Sequence, residues 1–239
     1  MRVLAFDTAT ARTAVALRDL EGGDNVRPRA VVDLALVDDP PPGTRPGHAR
    51  LLLELVHRLL ERSGGGWDAV DRIAAGIGPG SFTGLRIGLA TAKALSASSG
   101  VPLVGVSTLQ ALAVPAHGRG KATLAVIDAR RGEAFVAGWT AVQDPLTDVP
   151  ALAPQVLAPE QLAAAAAALG AACSVIGDGA VRFRDVFVRG GAQIPADESP
   201  LHRVSAREHC RIAGLQPAAP STSIEPAYLR AADAEATRA

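Results

Sequence analysis

The order of the apolar runs does most to limit what this chain can fold into. Three β-type runs open it: Val3 to Phe6, Thr13 to Leu17, and "AVVDLALV" ending at Val37. At His48 the period changes, and Leu51, Leu52, Leu55, Val56 and Leu59 recur at helical spacing until Gly64 to Gly66 stop the pattern. A strand over "VDRIAAGIG", a helix from about Gly84 to Ser98 ended by Gly100, and a strand over "VPLVGV" follow. The first half reads β-β-β-α-β-α-β, too much alternation for an all-helical or an all-β protein, so the class is α/β. The "DDPPPGTRPG" stretch before the first helix is a loop, because its prolines have no N–H to give.

The second half starts again with "ATLAVIDAR" and "EAFVAGW" around the turn "RRG". The proline-rich "VQDPLTDVPALAP" reads as a linker or edge loop. An alanine helix from Gln161, a short strand in "SVIGDGA", an amphipathic stretch and a helix opening at Ser205, with Glu208 in capping-box position, complete the pass. Two related subdomains are expected, 1–105 and 106–239, each a mixed sheet flanked by helices, with the last helix returning to the first.

Charge and cysteine content narrow the function. The 24 basic and 24 acidic residues cancel, so no broad positive field draws in a polyanion, and nucleic-acid contact has to be local or come through a partner. Cys173 and Cys210 form no C-x-x-C pair, which argues against a disulfide framework and a zinc site and fits a reducing cytoplasm. Asp7 interrupts the first apolar run before a signal core can form, and the alanine tract is too short to span a bilayer, so no membrane association is expected.

"GPGSFTG", Gly78 to Gly84, joins a strand to a helix, where free N–H groups can meet an anion. The P-loop lysine is missing, since Leu85 and Arg86 follow Gly84, and the dinucleotide fingerprint fails at Thr83. Past the loop, Gly84, Gly88, Ala92 and Ser96 fall four apart and form a ridge almost without side chains. Each helical glycine costs about 1 kcal/mol relative to alanine, which close packing must offset. That packing is against this chain's own sheet or against another subunit. Asp7, ahead of Thr8 and Thr10, resembles the phosphate-facing aspartate of actin-like ATPases, but Ala9 stands where those folds carry glycine, and an Asx turn is an equal reading. His48, His57, His117, His202 and His209 show no H-E-x-x-H spacing; His202 and His209, seven apart, are placed to share a helical face but lack an acidic third ligand. Asp128 to Glu133, "DARRGE", reads as a solvated hairpin tip. No catalytic constellation and no metal site emerge.

"LAFDTAT", His48 ahead of "LLLELV", "GPGSFTGLRIG", "GVSTLQALA", "DARRGEAF", "GDGA" and "EPAYLR" occur in this order over nearly the whole chain, and together they resemble the TsaB (YeaZ) family. The resemblance implies an actin, sugar-kinase and Hsp70 type fold with a degenerate nucleotide site, its remnants being Asp7, Thr8, Gly78, Gly80, Ser81 and Thr83. It implies a non-catalytic subunit, required with TsaD and the ATPase TsaE for threonylcarbamoyl transfer to N6 of adenosine 37 in tRNAs reading codons that begin with A. TsaD is then a heterodimer partner, the chain alone a homodimer, and tRNA is met through the complex. No cofactor is firmly bound, with ATP or ADP expected at a subunit junction. TsaD-type proteins hold metal with a histidine pair on one helix; here His48 stands alone. The expected partner surface is Leu52, Leu55 and Leu59 of the first long helix with Gly84, Leu85, Gly88, Leu89 and Ala92 of the second. The alternative is an actin-like ATPase or sugar kinase acting on its own.

Overall fold

The computed structural model describes residues 1–20, 31–41, 43–117, 121–170 and 172–230. These fall into two compact units. The first holds the described residues of Met1–Ile77 with Thr83–Ser107 and Ser205–Pro226; the second holds Gly78–Phe82, Thr108–Val204 and the described residues from Ala227 onward. The break near Ser107 lies close to the expected boundary, and residues 205–226, numbered with the second subdomain but with their helix expected to return to the first, belong to the first unit. The reason is the helix that opens this segment, which packs on the first two strands.

In the first unit, β1 (Arg2–Asp7), β2 (Thr13–Asp19) and β3 (Asp33–Asp38) form an antiparallel meander, and β4 (Arg72–Gly78) and β5 (Leu103–Ser107) extend it on the other side in the order β3-β2-β1-β4-β5. β1 and β4 run parallel. Period-2 alternation sends Leu4, Phe6, Val15 and Leu17 into one core with Leu52, Leu55, Val56 and Leu59 of α1 (His48–Ser63) and with Leu89 and Ala92 of α2 (Phe82–Ser99). Each such aliphatic side chain contributes about 1.5–3 kcal/mol by leaving water. Gly64 ends α1 in the left-handed region, φ 68°, where a glycine carries no Cβ penalty.

The second unit repeats the plan with one strand fewer. α3 (Thr108–Ala113) precedes β6 (Thr123–Asp128), β7 (Ala134–Trp139) and β8 (Leu152–Leu157), again an antiparallel meander. α4 (Pro159–Leu169) leads to β9 (Ser174–Ile176), parallel to β6, in the order β8-β7-β6-β9. α5 (Asp178–Arg182) and α6 (Arg184–Arg189) follow. Leu124, Val126 and Val136 pack with Leu162 and Phe187 on one face, while Ala125, Ile127, Phe135 and Trp139 pack with Leu109 and Leu112 on the other.

Three expectations are corrected. The proline-rich stretch ends in β8, an edge strand that tolerates Pro154 because no further strand needs its N–H. The strand in "SVIGDGA" stops at Ile176, and Asp178 begins a short helix. α7 (Ala206–Leu215) starts after Ser205 without a side-chain cap, and Glu208 pairs with Arg211 at 2.8 Å instead of closing a capping box. Among the described residues no helix is long and apolar enough to cross a membrane.

Candidate functional site

β1 carries Asp7 to the end of the first sheet, where the carboxylate is enclosed. The Ala9 amide donates to Oδ1 at 2.7 Å, forming the Asx turn. His209 of α7 sets Nε2 2.9 Å from Oδ2, and the two side chains are 0% and 1% exposed. Gly76 on β4 walls the pair in, since a Cβ there would overlap the Asp7 carboxylate. His209 Nδ1 faces the Ser205 carbonyl at 3.2 Å. Thr8, next along, donates from Oγ1 to the Gly84 carbonyl at 2.7 Å.

The small-residue ridge of α2 rests on this turn. A Cβ at Gly84 would overlap the Thr8 carbonyl oxygen, and one at Gly88 would overlap Thr8 Oγ1. The ridge therefore serves the chain's own packing. Leu52, Leu55, Leu59, Leu85, Leu89 and Ala92 are likewise at most 5% exposed, so none of the eight residues expected on a partner surface offers its side chain to solvent. The physical reason is that the apolar stripe of α1 and the bare stripe of α2 are the faces this unit needs for its own core.

Of the expected phosphate-loop residues, Asp7, Thr8 and Thr83 belong to the first unit and Gly78, Gly80 and Ser81 to the second. Ser81 and Thr83 are exposed and Gly78 is buried. His48 opens α1 with Nδ1 2.8 Å from Thr13 Oγ1. Its Nε2 is buried without a hydrogen-bond partner among the described residues. Burial is the main cause that lowers its pKa from the ordinary histidine value. His202 and His209 do not share a helix: His202 sits in a short turn of the second unit, its nitrogens 3.1 and 3.2 Å from the Gly177 and Pro195 carbonyls.

The second sheet ends its first strand the same way, in Asp128. Here the carboxylate is largely buried, its side chain 10% exposed, but its side-chain partners are exposed arginines. Arg182 reaches Oδ2 at 2.8 Å and Arg130 at 3.3 Å, and the Arg130 amide donates to Oδ1 at 2.8 Å. Asp178 accepts the Asp128 amide at 3.0 Å, and burial pushes its carboxyl up to about 6. The turn passes through Arg130, Arg131 and Gly132 at φ 62°, 52° and 81°.

Neither a nucleotide-bound cation nor a histidine-held metal fits these residues. The first-strand carboxylate is committed to His209, and one helical turn beyond His48 stand Leu51 and Leu52. Among the described residues no three His, Cys, Asp or Glu side chains converge. The sequence singled out Asp7 but not its partner, because His209 is 202 residues away and no local pattern announces it.

Two sheets of one plan, helices on their faces and an aspartate closing the first strand of each define an α/β protein of the actin, sugar-kinase and Hsp70 type. More narrowly, the chain belongs to the TsaD family: residues 40–185 match the family described as tRNA N6-adenosine threonylcarbamoyltransferase. It is 38% identical over 141 residues to the tRNA threonylcarbamoyladenosine biosynthesis protein TsaB of Escherichia coli, a match covering 58% of this chain and 55% of that protein. A tRNA N6-adenosine threonylcarbamoyltransferase of Rhizobium leguminosarum is 33% identical over 49% of this chain and 34% of its own. YeaZ from Pseudomonas aeruginosa superposes with a TM-score of 0.72 and 28% identity, covering 95% of this chain and all of that one. The chain spans about half the length of the curated TsaB relatives it matches.

Proposed function

We propose that this chain is a non-catalytic subunit in the formation of N6-threonylcarbamoyladenosine in tRNA, acting beside a TsaD-type transferase and a TsaE-type ATPase in the cytoplasm. The observation that carries this reading is the buried Asp7–His209 pair. A carboxylate that must bind a nucleotide's cation needs an open coordination side, and Asp7 has spent its own on His209 and the Ala9 amide. A nucleotide, in this reading, is held at a junction between subunits and not by this chain alone.

The partner surface then lies on the outer side of the helices whose inner side is core. Leu53 of α1 is 54% exposed, with the polar Arg50, Glu54 and His57 around it. On α2 the exposed Ala90, Ala94 and Ala97 give an outward stripe of short side chains that admits a neighbouring helix closely. The same surface joins two copies when the transferase is absent. Reconstitution of the tRNA modification from purified components tests the role: omitting this chain abolishes product, and His209→Gln, which keeps a hydrogen-bond donor of similar size for Asp7, leaves it intact. Turnover of Mg-ATP by the isolated chain overturns the non-catalytic reading in favour of a free-standing ATPase.

A further inference from the structure

One end of the second unit combines two features that the scaffold role does not use. Phe82 and Tyr228, 39% and 44% exposed, pack ring against ring with centroids 5.3 Å apart and planes tilted by 32°. Two residues after Tyr228, Arg230 reaches back to the turn after β6, donating to the Ala129 carbonyl at 3.2 Å and pairing with Glu133. This ties the aromatic pair to the Arg130–Arg131 turn. Arg130 and Arg182, 73% and 44% exposed along their side chains, each give one nitrogen to Asp128. The turn also holds two arginines in the left-handed region, where asparagine and glycine are the easier residues.

We propose that this end of the second unit is a direct contact for single-stranded RNA, an unpaired base stacking on Tyr228 and Phe82 while neighbouring phosphates meet Arg130, Arg131 and Arg182. Exposed aromatic faces beside forked guanidinium donors suit a nucleotide strand, whose bases and phosphates alternate. An acidic protein segment uses the arginines but leaves the aromatic pair idle. The contact is local, which agrees with a chain whose formal net charge is zero. It rests on the tRNA-modification reading and adds that this chain touches the RNA itself.

The test is fluorescence anisotropy of a labelled anticodon-arm hairpin with the full chain. R130A/R131A is expected to weaken binding about tenfold and to reduce the slope of log affinity against log salt by about 1.4, since each phosphate on a single strand contributes about 0.7. Tyr228→Ala is expected to weaken binding at least about fivefold with the slope unchanged. Tyr228→Phe retains binding, whereas Tyr228→Leu, of similar apolar volume, loses it as alanine does. Absence of RNA binding, equal affinity for Y228F and Y228L, or tighter binding of polyglutamate than of the hairpin overturns the proposal. Reconstitution separates the two readings: if modification requires the chain while R130A/R131A and Y228L bind RNA and sustain product like the unaltered protein, the scaffold role stands and the RNA contact falls.

Discussion

The turn after β1 and the turn after β6 occupy the same place in sheets of the same plan, yet one is sealed and the other open. Asp7 is walled by Gly76 and paired with His209, the two side chains 1% and 0% exposed. Asp128, 10% exposed, is held by arginines that reach solvent, beside a second carboxyl whose pKa burial raises to about 6. A shared backbone plan therefore does not dictate a shared electrostatic role. What differs is the side chain that the following helices bring: a histidine to the first aspartate, an arginine and an aspartate to the second.

The widest gap between the turns is expected on removing a partner. His209→Ala strands a buried carboxylate and should cost about 3–5 kcal/mol, whereas Asp128→Ala, which leaves only exposed arginines and one turn amide without their partner, should cost about 1–2 kcal/mol. Thermal unfolding of both variants checks this, and equal losses would erase the contrast. Gly88→Leu drives a side chain into Thr8 and should cost about 3 kcal/mol in stability of the isolated chain. A variant folded as well as the unaltered protein would show that the Thr8 turn yields.

Acid sharpens the contrast from the other side. The Asp178 carboxyl is raised to about 6 from 3.8, so its protonated form is favoured in the folded state. The sign follows: above 6 the folded chain holds an ill-solvated carboxylate and is less stable, and stability is regained as pH falls from 6 towards 3.8, by up to about 3 kcal/mol. Asp178→Asn should remove that slope, read as the difference between variant and unaltered protein in denaturant midpoints across pH 4–7. His48, its pKa lowered by burial, works oppositely, losing stability as pH falls below its unfolded value of 6.5. It is present in both proteins and cancels in the difference. The smallest effect is expected for Arg131→Gly, which relieves a left-handed backbone and should raise stability by about 1 kcal/mol. A loss there would mean that the arginine side chain holds the turn.

The sequence carried the strand and helix alternation because each element has its own period. Glycines at 64 and 100 and the prolines after Asp38 punctuated it. β8 stayed hidden because Pro154 and the loop before it look like a linker, and only the position at a sheet edge makes that proline acceptable. Asp7 and the Asx turn were legible from neighbours in sequence. The direction of the α2 ridge was not, since small residues permit close approach without saying to what, and only the fold brings Thr8 under Gly84 and Gly88. His209 could not be assigned to Asp7 by any spacing rule, and Tyr228 could not be assigned to Phe82, because both pairs close across most of the chain.

That long closure orders events at birth. β1 and β2 leave the ribosome early, but the helix that covers them is translated only after all of β6 to β9. The second sheet can be finished while the first still exposes the side that α7 will bury, and a nascent chain stalled before Ser205 should hold a finished second sheet and a first unit that binds chaperones.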